Sequence, residues 1–384
     1  MIRIGVIGYG LRMRGVTDLM QTLNEGTEIV AIADPGCQEI KSRMEGDGRD
    51  ISGITFYASA DDMLADKTLD AVMIGTRCSL HANLAEKVLS QNIPLFLEKP
   101  IATNMDDLVR LRNAAANSTG KTVVSFPLRV TPLVDLAKEI IQSGQIGTVE
   151  HVQAVNNVPY GGVYYHSWYR DENETGGLFL QKATHDFDYI NYLLGIQPVS
   201  ICAMKSKQIF KGDRPAGLKC KDCAEVKTCV DSPFNPSTTN LEVDAPDDRM
   251  CAFAVDTGNE DSGSALISYE TGMHVSYTQN FFARNAAGKR GATLIGYKGT
   301  IEFDWYTNQL KVYMHHKPRT ETHDLGEAGS HGGGDIVLMD NFIKVIKGEC
   351  KSISPLSSGL ISALMCLKAK ESATTGTFQE VKFP

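Results

Sequence analysis

Short apolar runs alternate with amphipathic stretches through the first 125 residues. Apolar runs at 2–7, 28–33, 71–75, 94–97 and 122–126 predict strands, and the stretches 61–65, 81–90 and 106–117 between them predict helices. That alternation is the pattern of a parallel sheet covered by helices. Thr103 or Asn104 stands where it can cap the third helix. From about residue 150 the pattern changes. Runs at 149–156, 199–204, 264–269, 273–280, 291–297 and 300–304 predict an antiparallel sheet, many of them broken by glycines or turns. Helices are expected at 184–194, 335–347 and 357–374, the last stopped by Gly376. Residues 211–261 show little periodicity and many Pro, Asp and Cys residues, as expected of an insertion lying over the sheet.

Composition narrows the picture. The chain has 384 residues, 42% hydrophobic and 22% charged, which is ordinary globular usage. At roughly 100–200 residues per domain, two domains are expected, with boundaries at 1–125 and 126–384. The net charge is −8 and no basic run stands out, so no nucleic-acid partner is expected. No apolar run approaches the ~18 residues that suggest a membrane span. Residues 1–10 are apolar but lack a basic region and a small-residue cleavage site, so a buried strand is expected there rather than a leader. The nine cysteines are mostly scattered. With no export signal, reduced thiols and a cytoplasmic location are expected.

The chemistry begins where the first strand ends. Gly8-Tyr9-Gly10-Leu11-Arg12 follows it at once. A first glycine permits the tight turn into a helix. A second lets backbone approach a pyrophosphate, which the free N–H groups of the helix N-terminus receive. Met13 stands where a third glycine is usual, and Gly15 follows two residues later. Asp34 ends the second strand, 26 residues after Gly8. That is near the spacing of the acidic residue that hydrogen-bonds the adenosine ribose. A carboxylate there repels a 2′-phosphate, so NAD is favoured, while Arg12 and Arg14 leave NADP open.

The run Leu95-Phe96-Leu97-Glu98-Lys99-Pro100 then ends a later strand. With it the sequence resembles the Gfo/Idh/MocA family of NAD(P)-dependent oxidoreductases, whose most specific short signature is Glu-Lys-Pro. Further matches fall in order: the turn at Gly8 and Gly10, Leu69 to Val72, Thr76 followed by His81, Phe126 to Arg129, Gly144 to Gly147, and Gly176-Gly177 followed by His185 and Asp188. The resemblance covers nearly the whole chain. It implies an α/β Rossmann domain followed by an α+β domain with an open, mostly antiparallel sheet. In the family that sheet often forms the interface of a homodimer or homotetramer. The resemblance also implies that Lys99 contacts the nicotinamide ribose and the substrate, that the Lys99–Pro100 peptide is cis, and that His185 is the acid/base. Glu98, Thr76 and His81 fall on its cofactor side. Gln181 stands where the family usually has Asp, one helical turn before His185. A glutamine can orient a hydroxyl but holds neither a proton nor a negative charge.

The expected reaction is hydride transfer between nicotinamide and a hydroxyl-bearing carbon of a sugar or polyol. His185 moves the hydroxyl proton, Lys99 steadies the alkoxide and Gln181 holds a neighbouring hydroxyl. The aromatic stretch 160–171 offers Tyr165, Trp168 and Arg170 to a carbohydrate, and Arg129 and His331 are further substrate candidates. Cys220, Cys223, Cys229 and Cys251 have the number and partial spacing of a structural zinc site, with dispersed reduced cysteines as the alternative. Two other readings compete with a dehydrogenase: an NAD-dependent glycoside-cleaving enzyme, and a non-catalytic NAD-sensing regulator.

Overall fold

The computed structural model describes residues 1–66, 68–235, 248–326 and 330–384. The chain forms two compact units. The first comprises 1–132, 328–364 and 383–384, and the second 133–327 and 365–382. The part of the insertion at 236–247 lies outside the described residues.

The first unit holds a six-stranded sheet: β1 (Ile2–Ile7), β2 (Thr27–Ala33), β3 (Thr55–Tyr57), β4 (Ala71–Ile74), β5 (Leu95–Leu97) and β6 (Thr122–Val124). All pairings are parallel and the spatial order is β3-β2-β1-β4-β5-β6. This is the doubly wound Rossmann order, with its switch point between β1 and β4, where ligands bind beyond the carboxyl ends of the strands. Ile4, Val6, Val72, Ile74 and Leu97 are wholly buried, as expected of strands covered on both faces. Strand β3 was not visible in the sequence: it is three residues long and only half-buried.

The chain returns to this unit through the helix Gly334–Lys347, whose Leu338, Met339, Phe342 and Ile343 join the core around Ile4, Met13 and Phe96. Gly334 makes that approach close. A Cβ there would lie 1.9 Å from the Pro127 carbonyl oxygen. The return is also pinned electrostatically. Arg12 donates from Nε to Glu98 (2.8 Å), from Nη1 to Asp335 (2.9 Å) and from Nη2 to Asp335 (2.6 Å) and Ser125 Oγ (3.1 Å). His331 Nδ1 lies 2.8 Å from Asp335. Burial would raise the Asp335 pKa, but hydrogen bonds from Arg12 and His331 outweigh it and hold the carboxyl well below its ordinary value. Glu98 behaves alike: burial pushes it up, and Arg12 and Lys99 reverse that, leaving it lowered.

The second unit is built on nine strands: β7 (Val149–Asn157), β8 (Pro198–Ser206), β9 (Ser262–Tyr269), β10 (His274–Asn280), β11 (Lys289–Gly296), β12 (Gly299–Asp304), β13 (Gln309–Met314), β14 (Thr320–Asp324) and β15 (Gln379–Glu380). Their order is β14-β13-β12-β11-β7-β10-β9-β8-β15. Only β7 and β10 run parallel; every other neighbour is antiparallel. The expected open, mostly antiparallel sheet is therefore present. It extends past the sequence expectation by β13, β14 and β15, whose outer members alternate exposed and half-buried residues.

The helix Leu178–Leu194 crosses this sheet and starts six residues before the expected 184. Every residue from Leu178 to Ile190 is buried, so no solvent-facing stripe marked its start. Asp186 anchors it. Its carboxylate accepts from Asn156 on β7 (2.8 Å), Tyr277 on β10 (2.8 Å) and Arg290 on β11 (2.8 Å). The described residues at both ends of the insertion are held in place. Asp261 accepts three backbone N–H bonds, from Gln208, Ile209 and Phe210, and Phe210 and Ala252 join an apolar cluster with Tyr165 and Phe281.

Two predictions follow from this packing. Gly334→Ala should lower the unfolding free energy by roughly 1–3 kcal/mol through overpacking, read as a shifted urea midpoint; an unshifted midpoint contradicts the close approach. Asp335→Asn should cost about 1–3 kcal/mol at pH 7, less than the ~3–5 kcal/mol of a fully buried pair, because the Arg12 side chain is 34% exposed and solvent screens it. The Asp335 contribution is complete above its unfolded pKa of about 4 and is lost as pH falls through the lower folded value. The gap between wild type and Asp335→Asn should therefore narrow at pH 3, and a constant gap contradicts the assignment.

Candidate active site

The turn after β1 is shaped by two glycines with different duties. Gly8 has φ +79°, and a Cβ there would meet Thr76 at 2.7 Å, so both conformation and packing demand glycine. Gly10 precedes the helix Leu11–Thr22 in ordinary extended geometry, and no atom lies within 4 Å of where its Cβ would stand. No side chain caps that helix, and its first turn carries no acidic residue. Open space beside Gly10 and an uncapped helix start together form a cradle fitted to a diphosphate. Asp34, at the end of β2, accepts from the Tyr9 and Gly36 backbone N–H groups, both at 2.9 Å, which fixes its carboxylate beside the turn.

Several expected cofactor residues act through backbone or support. Tyr9 contributes its backbone; its ring is 1% exposed and lies in the core. Leu11 is exposed at the helix start. Arg12 was expected near a phosphate, but all three of its nitrogens bond protein oxygens in the cluster above. Thr76 packs against Gly8 and donates from Oγ1 to the Arg77 carbonyl (3.1 Å). His81 is buried, with Nδ1 2.8 Å from the Pro100 carbonyl and Nε2 3.2 Å from that of Thr76. Burial lowers its pKa despite those two acceptors. The neutral ring, donating to the nearer carbonyl, braces the segment after Lys99. The Lys99–Pro100 peptide is cis.

In the second unit, the Gly176-Gly177 turn leads into the helix Leu178–Leu194. Gly177 has φ +107°, and the Phe179 N–H donates to Glu260 at 2.6 Å. Gln181 and His185 are buried, 2% and 5% exposed, and one turn apart on one helical face. Gln181 Nε2 donates to the Thr175 carbonyl (3.0 Å), so this amide braces the glycine turn. Lys182 lies between them in sequence and is also buried; its ammonium donates to the Tyr160 hydroxyl at 2.7 Å. Tyr160 opens the aromatic stretch expected at a carbohydrate; its pairing with the buried Lys182 was not expected.

The expected substrate residues divide. Tyr165 is fully buried, stacked on Phe210 at 3.9 Å and donating to the Glu260 carbonyl (2.8 Å), so it belongs to the core and presents no face to a ligand. Arg170 is buried and bonds Asp256 (2.6 Å) and Thr257 (2.9 Å), tying the insertion down. Arg129 is buried and donates to the Ile353 carbonyl (2.8 Å). His331 serves Asp335 in the Arg12 cluster. Trp168 is half-buried and stacks on Tyr169 at 3.9 Å.

Cys220, Cys223, Cys229 and Cys251 do meet, lining one small cavity together with His166. They remain free thiols, and among the described residues no group of three or more His, Cys, Asp or Glu side chains is arranged to hold a metal ion. The expected structural zinc is therefore not supported. The Cys220 sulfur turns instead toward the Met250 carbonyl (3.4 Å) and His166 Nδ1 (3.5 Å). Burial and the three neighbouring thiols push Cys220 up to about 12. Apolar packing and the Asp261 and Arg170 bonds supply the order that a metal was expected to give.

Among the described residues, no helix is long and apolar enough to cross a membrane.

Comparison with known proteins agrees with this geometry. Residues 2–126 match the profile described as the oxidoreductase family's NAD-binding Rossmann fold, and residues 138–383 match its C-terminal alpha/beta domain. The putative oxidoreductase YteT of Bacillus subtilis (strain 168) is 27% identical over 318 residues, covering 73% of each chain. An inositol 2-dehydrogenase of Rhizobium meliloti (strain 1021) is 28% identical over 216 residues, 56% of this chain and 62% of that protein. A levoglucosan dehydrogenase solved with NADH and levoglucosan shares the fold at TM-score 0.79, with 18% identity and 99% of both chains covered. With both halves matched in order, this chain belongs to the Gfo/Idh/MocA oxidoreductase family.

Proposed function

We propose that the protein is an NAD(P)-dependent dehydrogenase acting on a carbinol of a sugar or polyol. The observation that carries this is the open, uncapped cradle at Gly10 inside an NAD-binding fold. The names of relatives support the substrate class, since they act on inositol and levoglucosan. When bound, the nicotinamide supplies a hydride acceptor or donor.

The chain's own residues then have distinct duties. Gly8, Gly10 and the helix start receive the diphosphate. Asp34 receives the adenosine ribose and disfavours a 2′-phosphate, which selects NAD over NADP. His185 takes the proton from the substrate hydroxyl and returns it in the reverse direction. Lys99 supplies positive charge to the developing alkoxide. Gln181 is a positioning residue that holds the glycine turn before the helix bearing His185. Outward-facing Met204 and Leu266 on β8 and β9 suit self-association through the second sheet, as a dimer or tetramer.

Gly10→Ala should fold with an unchanged urea midpoint, since its Cβ meets nothing, yet lose at least tenfold in NAD affinity by calorimetry. Unchanged affinity contradicts the cradle. Lys99→Ala should keep NAD binding and lose turnover by about 100-fold or more, measured as NADH absorbance over a panel of sugars and inositols; full activity removes Lys99 from the chemistry. Aryl glycosides in the same panel separate the competing reading, because phenol release without net NADH would replace the dehydrogenase assignment.

A further inference from the structure

His185 is 5% exposed, so a proton it takes up needs a path to water. Lys182 sits three residues earlier on the same helix, at a neighbouring position on one helical face. The Lys182 ammonium lies 2.7 Å from the Tyr160 hydroxyl and 4.6 and 5.1 Å from the Tyr160 and Tyr164 ring centres. Lys182 is 7% exposed, whereas Tyr160 is 41% exposed. A buried amine is thus joined to a phenol that reaches solvent.

Resting on the dehydrogenase reading, we propose that Lys182 and Tyr160 form a proton relay between the buried helix face at His185 and bulk water. In the oxidising direction the substrate O–H bond breaks and an N–H bond forms on His185. The Tyr160 phenol releases a proton to water, the Lys182 ammonium reprotonates the phenolate, and the neutral amine so formed accepts the proton from His185. One proton leaves the substrate, one reaches solvent, and each relay group ends as it began. The hydride leaves separately with its electron pair to the nicotinamide.

The charges around the pair suit this. Burial pulls the Lys182 pKa down, opposed by Tyr160 and Asp186 and aided by Arg290, so the amine gives up its proton more readily than a surface lysine. Asp186 is already engaged by Arg290, Asn156 and Tyr277. The other ionisable groups facing the pair are Tyr164 and Tyr306, and burial raises both phenols, so they stay protonated. Coupled groups release protons in steps that belong to the pair. The first step of Tyr160 and Lys182 should fall below the ~10 of an isolated phenol or lysine.

Two measurements on the full-length protein decide it. First, phenolate absorbance near 295 nm is followed against pH. Because the pair's first proton is shared between phenol and amine, wild type should show a partial phenolate step at least about one pH unit below the remaining tyrosines, absent in Tyr160→Phe and lost in Lys182→Met. Lys182→Gln, also uncharged, serves if the Met variant does not fold. Second, Tyr160→Phe should keep NAD affinity and lose turnover about 100-fold, the low end for a positioned proton-transfer group. Added imidazole buffer should restore much of that loss in Tyr160→Phe while leaving wild type unchanged. A Tyr160→Phe variant with full activity, or with a loss that buffer does not restore, overturns the relay, as does a wild type without the early phenol. An early phenol in a protein that turns over none of the substrates leaves the pair intact and removes the dehydrogenase reading instead.

Discussion

One guanidinium holds the first unit's functional loops in register. Arg12 leaves the glycine turn on the first turn of its helix and binds Glu98 at the end of β5, Ser125 after β6 and Asp335 on the returning helix. Two buried carboxylates surround it, and both titrate below their ordinary range because of it. Each would be costly to bury alone. Together they tie the glycine turn to the Glu-Lys-Pro segment. Gly8 against Thr76 and His81 against Pro100 tighten the same region.

A second buried charge does comparable work in the other unit. Asp186 binds three strands of the nine-stranded sheet and so fixes the helix that carries Gln181, Lys182 and His185. Asp186 and Gln181 meet a structural need there, and the proposed chemistry falls to His185.

Much of this was legible in the sequence. The parallel sheet followed from alternating apolar and amphipathic stretches. The glycine turn with Asp34 beside it was legible as two glycines after a strand and an aspartate after the next. What escaped notice has physical causes. The start of the helix Leu178–Leu194 was hidden because burial on all sides erases the helical period. The apolar stripe of the helix Gly334–Lys347 announced burial but could not say against which core, so the role of Asp335 and His331 beside Arg12 was invisible. Tyr165, Arg170 and Arg129 were read as substrate residues because aromatic and guanidinium groups serve sugars and cores equally well. The four cysteines show the converse: they line one cavity, but among the described residues they are not arranged to hold a metal ion.

Hydride transfer from a carbinol carbon to a nicotinamide leaves an isotopic mark. A panel of polyols and sugars deuterated at their carbinol carbons is incubated with the protein and NAD, and the cofactor is then analysed by mass spectrometry. At least one compound should yield NADH one mass unit heavier, with the deuterium at C4. A protein that binds NAD tightly yet returns it unlabelled across the whole panel is no such dehydrogenase.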